Sequence, residues 1–405
     1  MKNPDKFISF AITYQVVLQG CKNILVQGFP MLYAINNQLN LIIMGSALLL
    51  YFKAIFVYTE CRAPKQANFI LVFVMFTYFF TYVFYPQNFE FIKSSILRTL
   101  ISCFLTFLLL SKLRTFEFLN LYFLKGSYCI TICGILYSLI INIIGHSTTS
   151  DWSTYSMTMS NVVLLSVIWQ LNKYFESKDV MALVASIIGT TIIFFYGSRN
   201  PFLAIATFVI FSVFFRSNQA RKQSQNFIKW FFLSLIFIFV LNFKEIILSI
   251  QDILDSLGYG SRMIYYLVNA DTEDFSSGRL NIYNKLWNIV LDNPLIGFGV
   301  SGDEALINEL AHNLYLSVFI TYGMFIGVFI IFYILYLAIQ GFKKTIGFER
   351  NLIIMYACIV YPRSFTGGDI WINDYLWFFM GLLMSSLYNN RNITKLYNYE
   401  HKEIH

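Results

Sequence analysis

Charge is what this chain has least of. Only 13% of its 405 residues are Asp, Glu, Lys or Arg, whereas 57% are hydrophobic and 19% aromatic. Ordinary soluble domains carry charge on about a quarter of their residues. Such a composition leaves too little polar surface to cover a water-soluble globule, which excludes a soluble domain. Cysteine is scarce too. The six cysteines sit in or beside apolar runs, and Cys129 and Cys133, one helical turn apart, have no His or carboxylate companions in the sequence around them. Neither a disulfide framework nor a metal site is therefore expected. Also missing are a P-loop, an H-E-x-x-H pair and a G-x-G-x-x-G turn between a strand and a helix, which removes nucleotide-driven transport and metalloprotease chemistry. No cofactor is expected, and the energy for any reaction must arrive with the substrate. The first residues, M-K-N-P-D-K, lead into an apolar run without a small-residue cleavage site, so that run is expected to stay as an anchor.

What the chain does have is long apolar runs. About twelve windows reach the roughly 20 residues needed to cross a hydrocarbon core about 30 Å thick. They lie near 8–26, 33–58, 68–85, 94–111, 121–145, 156–172, 180–197, 201–215, 226–243, 312–340, 351–367 and 370–388. They are continuous, without the short alternating pattern of barrel strands, so helices are required to satisfy the backbone. The expected fold is an all-α polytopic membrane protein of about twelve transmembrane helices, one integral membrane domain over residues 1–405.

The basic residues give an orientation, because Lys and Arg near span ends stay on the cytoplasmic side. With the N-terminus inside, the inner loops carry Arg62/Lys65, Lys112/Arg114, Lys173/Lys178, Arg216/Arg221/Lys222 and Lys343/Lys344/Arg350. Both termini are then cytoplasmic. Residues 243–310, by contrast, hold ten acidic and four basic residues in a chain whose net charge is +7. This segment, taken as a loop over 243–311 between the ninth and tenth spans, is expected outside. The net positive charge thus reflects topology and anionic inner-leaflet lipid, and no separate basic domain exists for nucleic acid.

The loop has the pattern of a folded element. Ile246, Ile247, Ile250, Ile253, Leu254 and Leu257 recur at helical spacing between Glu245, Gln251, Asp252 and Asp255, the pattern of an interfacial helix. Beyond the break at Gly258-Tyr-Gly260, Ser276 or Ser277 can cap a second helix. Its apolar face would carry Leu280, Tyr283, Leu286, Trp287 and Val290, and Asn293-Pro294 would end it. A G-F-G turn follows, then a short helix capped by Ser301 or Asp303, and His312-Asn313 opens the next span.

Taken in order, S-S-G-R-L-N-I-Y, D-N-P-L-I-G-F-G, A-H-N-L-Y-L and Gly323, preceded by G-S-R at 197–199, resemble the O-antigen ligase/Wzy polymerase superfamily over roughly residues 180–340. The resemblance implies a GT-C-like, metal-independent glycosyltransferase acting at the outer face of the bacterial cytoplasmic membrane on glycans linked to undecaprenyl diphosphate. It also implies a chain-length regulator as partner. Within it, the stretch G-Y-G-S-R-M-I-Y-Y-L looks more like polymerases of O-antigen or capsular polysaccharide than like ligases, which pass the finished chain to the lipid A core of lipopolysaccharide.

The residues support such chemistry on their own terms. A glycan on a lipid diphosphate carries its leaving group, so transfer needs stabilisation of the departing diphosphate and activation of an acceptor hydroxyl. Arg199, Arg279 and Arg262 are the candidates for the first task, in that order, because a guanidinium stays charged and grips phosphate bidentately. Arg98 and Arg363 are weaker ones. His312 is the candidate base, with an ordinary pKa near 6.5, and His146 is a weaker competitor. Asn313, Tyr283 and Trp287 are expected to contact the acceptor or its sugars. A lipid-linked glycan flippase is the alternative from another class, but it should carry charges along many span interiors. Here Lys53, Arg98, Lys125 and Arg363 fall toward predicted span ends.

Overall fold

A computed structural model of the chain describes residues 3–57, 63–144, 156–196, 198–215, 242–256, 264, 268 and 278–400. Among these residues the regular structure is helical throughout, without a strand. The helices are α1 (Pro4–Gly28), α2 (Pro30–Ala34), α3 (Asn36–Val57), α4 (Lys65–Phe84), α5 (Pro86–Ser111), α6 (Glu117–Ile144), α7 (Met157–Ser177), α8 (Val180–Tyr196) and α9 (Arg199–Phe215). They continue as α10 (Phe243–Ser256), α11 (Arg279–Asp292), α12 (Gly302–Ile307), α13 (Leu314–Tyr322), α14 (Met324–Lys344), α15 (Gly347–Thr366) and α16 (Asp374–Glu400).

Five of them, α3, α4, α5, α6 and α14, are long and apolar enough to cross a membrane. In α3, α4 and α14 only 22% of the apolar window is buried by protein. Large side chains such as Leu49, Phe69, Met75, Phe329 and Phe332 stand exposed on them, a surface that hydrocarbon covers and water does not. The expected count of about twelve is not reached by this measure. At 17 residues each, α8 and α9 are about 25 Å long. The window at 226–243 lies almost wholly outside the described residues. The window at 312–340 is two helices, because Gly323 interrupts it at φ 80° and ψ 165°.

The chain divides into two compact units. One comprises Met1–Gln19, Asn37–Lys125 and Gly278–His405. Its core is aromatic: Trp377 meets Phe104 edge-on at 4.9 Å, and Tyr356 stacks on Phe378 at 4.4 Å. These rings hold α16 against α5 and α15. Asp5 accepts the backbone N–H groups of Arg114 and Thr115 at 3.2 and 3.1 Å, closing the α5–α6 turn. The second unit comprises Gly20–Asn36 and Gly126–Ser277. There α6, α7 and α8 pack closely, and a buried polar chain links Gln170 to Thr131 at 2.9 Å and Thr131 to Ser166 at 3.2 Å. In an apolar surrounding such groups must satisfy one another, so they fix the register of α6 on α7.

Residues 278–323 pack within the first unit. The apolar face of α11 is Ile282, Leu286, Ile289 and Val290, packed on Ala311, Leu316 and Ile320. Of the face expected from sequence, Tyr283, Leu286 and Val290 join this core, whereas Leu280 is 60% exposed and Trp287 38%. The turn after α11 lies backbone to backbone against the end of α13, where Phe298 donates to Ile320 O at 2.6 Å and Gly299 to Thr321 O at 3.1 Å. A Cβ at Gly297 would fall on the Thr321 carbonyl. Asn88 reinforces the turn by donating to the carbonyls of Phe298 and Val300 at 2.7 and 2.9 Å.

Candidate functional site

Helix α11 begins at Arg279, with Gly278 at its N-cap in the left-handed region at φ 81°. Ser276 and Ser277, the expected caps, lie outside the described residues, as do Arg262 and His146. The Arg279 guanidinium donates to Thr366 O, the last carbonyl of α15. A cation at the negative end of a helix is favourably placed. One turn along α11, the Tyr283 hydroxyl lies 3.2 Å from both His312 O and Phe365 O. Its single proton can serve either carbonyl.

His312 takes the left-handed conformation at φ 49°, which costs a non-glycine residue about 1–2 kcal/mol. Asn313 follows as N-cap of α13: its side-chain oxygen accepts from Tyr315 N and Leu316 N at 3.0 and 3.1 Å. Its amide donates to Phe365 O at 3.3 Å. The His312 pKa is lowered by burial first and by the Arg279 charge second, with Glu309 opposing. The imidazole is therefore neutral near pH 7 and free to accept a proton.

Four of the sequence-predicted residues, Arg279, Tyr283, His312 and Asn313, thus meet in one cluster. Trp287, two turns along α11 from Arg279, packs on Phe319 with ring centroids 6.0 Å apart. In this arrangement Tyr283 and Asn313 hold backbone carbonyls. Arg199 lies in the second unit as the first residue of α9, half-buried. Beside it Ser198 N donates to Ser160 Oγ at 3.3 Å, which pins the turn to α7. The weaker arginine candidates have structural partners: Arg98 pairs with Asp374 at 3.5 Å, and Arg363 lies over the Tyr375 ring at 5.0 Å.

Two acids of this neighbourhood take parts here that the sequence alone does not show. Asp303, expected as a helix cap, sits inside the first turn of α12 and accepts Ala311 N–H at 2.7 Å. Asp369 accepts from the Ser317 hydroxyl and from Trp371 N, the latter at 3.2 Å. Burial raises the Asp303 carboxyl above its ordinary range. Burial, with the Asp303 charge as second cause, pushes Asp369 up to about 7. The signal that could find them is the rarity of acids next to apolar runs, but it does not separate these two from the exposed acids of the same segment.

This cluster, with Arg199 ahead of it in the chain, lies within one stretch of recognisable sequence. Residues 184–333 match the family model of the O-antigen ligases. The match runs from α8 through the Arg199 turn, the acidic segment and the His312 cluster into α14, and it bears out the resemblance drawn from the motifs. No curated protein and no solved structure matches the chain. The chain is thus a helical protein with several helices apolar enough to cross a membrane, and its residues 184–333 are similar to the O-antigen ligase family.

Proposed function

We propose that this protein is an O-antigen or capsular polysaccharide polymerase. It transfers a glycan from undecaprenyl diphosphate to the next lipid-linked repeat unit at the outer face of the cytoplasmic membrane, without a metal. The observation that carries the reading is the cluster of Arg279, Tyr283, His312 and Asn313, with His312 kept neutral, inside the family-matched segment. In the reaction, His312 accepts the proton of an acceptor hydroxyl. The hydroxyl oxygen attacks the anomeric carbon, a new glycosidic bond forms, and the bond to the diphosphate oxygen breaks with its electron pair leaving on the diphosphate. A cation matched to that developing charge lowers the barrier, and Arg279 is the candidate beside His312. Arg199 is assigned to the same task from its place as the first residue of α9, where a guanidinium at a helix start favours an anion. Arg262 is assigned with them from its motif. Trp287 offers an exposed ring to a sugar face, and a chain-length regulator is the expected partner.

The ligase reading shares the donor and the residues, and the description of the family model favours it. Purified protein in vesicles, supplied with lipid-diphosphate-linked repeat units and a chelator, separates the two. Elongation on the carrier lipid, lost in His312→Ala and Arg199→Ala, supports a polymerase. No elongation, but transfer when lipid A core is added, supports a ligase.

A further inference from the structure

Three of the four non-glycine residues with positive φ among the described residues fall within one short stretch: Ser301 at 53°, Asn308 at 57° and His312 at 49°. Strained backbone of this kind persists only where its surroundings over-determine it. At the end of the stretch the determinants can be named. On the carbonyl side of His312, Tyr283 reaches its oxygen at 3.2 Å. After it, Asn313 caps α13. Before it, the Ala311 N–H is taken by the carboxylate of Asp303, at 2.7 Å the shortest of these contacts.

Asp303 is only 3% exposed, and no basic side chain lies within ion-pair distance of it among the described residues. A buried carboxylate without a cation is costly, and besides the first backbone N–H groups of α12 this one takes the N–H of Ala311. What the carboxylate supplies is a strong acceptor for the single N–H that precedes the imidazole-bearing residue, and charge-assisted bonds of this kind are short and directional. We infer that Asp303 is the positioning residue of His312: by fixing Ala311 it holds the left-handed turn that presents the imidazole to the acceptor hydroxyl. This rests on the role proposed for His312. Ser317 completes the support from the far side, since Asn313 O accepts its N–H at 2.9 Å and its hydroxyl donates to Asp369.

The test measures kcat and KM for lipid-linked repeat units in the vesicle assay, with protein amount and thermal unfolding followed beside them. For Asp303→Ala the expected result is a kcat lower by on the order of 10- to 100-fold, the loss that misplacement of a catalytic group by about an ångström brings, with KM within about twofold. Asp303→Asn keeps an oxygen acceptor for Ala311 N–H but not its charge, and its kcat is expected to fall between those of wild type and Asp303→Ala. In the His312→Ala background, Asp303→Ala is expected to lower kcat no further, because groups that act through one another are not additive. An undiminished kcat in Asp303→Ala, or a further loss in the double variant, overturns the inference. Should Asp303→Ala fail to accumulate, Asp303→Asn in the two backgrounds carries the test: any loss it causes must vanish in His312→Ala, and a loss that persists there overturns the inference. The outcome of His312→Ala alone stands apart. If that variant retains full activity, the base assignment falls whatever Asp303 does.

Discussion

At the scale of single residues, the account turns on the protonation of His312. Burial and the Arg279 charge both lower its pKa from the ordinary value near 6.5. A base works in its neutral form, so kcat should begin to fall only at a pH below that of an ordinary imidazole. Arg279→Gln removes a positive charge that opposes protonation. The acid limb of the kcat–pH profile should then move to higher pH, and a limb that stays put or moves down would contradict the link between the two side chains. His312 and Arg279 were both legible as candidates, because a lone histidine and an arginine in a recognisable motif are rare in so apolar a chain. Asp303 was legible only as a helix cap. Its partner is eight residues away, across a turn whose left-handed steps no propensity foretells.

At the scale of elements, the turn between α11 and α12 is as demanding as any side chain. Gly297 lies against the Thr321 carbonyl, and Gly323 at φ 80° lies against Leu295 O, so each glycine admits the other strand of backbone. Gly297→Ala should therefore abolish transfer and sharply lower the amount of protein, read by glycan analysis beside an immunoblot; normal amounts with normal chains would show that the contact yields easily. Leu286 is fully buried in the core that α11 shares with α13. Leu286→Ala should cost about 2–5 kcal/mol and open α11 to protease before the rest of the chain. Uniform protease resistance would count against that core. Hydrophobic runs located the helices, including the amphipathic α10, but missed two features. On α11, Tyr283, Leu286 and Val290 of the expected face pack in the core, but Leu280 and Trp287 are apolar yet exposed. The break at Gly323 does not show in the 312–340 run, because an apolar run gives composition and not a backbone hydrogen bond such as that from Met324 N to Pro294 O. Gly327 packs closely against Phe319.

At the scale of the whole molecule, the membrane character and the family resemblance were legible: the first from composition, the second from the order and spacing of a few motifs. The identity of the acceptor was not, because polymerase and ligase share donor, leaving group and base and differ only in the molecule whose hydroxyl attacks. The most direct measurement is therefore made on the product. In a strain lacking the gene, complemented with wild type or Arg199→Ala, surface glycan and carrier-linked intermediates are compared by gel. A polymerase predicts that the ladder collapses to a single-unit band on the normal anchor in the deletion and in Arg199→Ala, and returns with wild type. Long chains still built on the carrier lipid, with none anchored, would contradict it and mark a ligase; an unchanged ladder would contradict both.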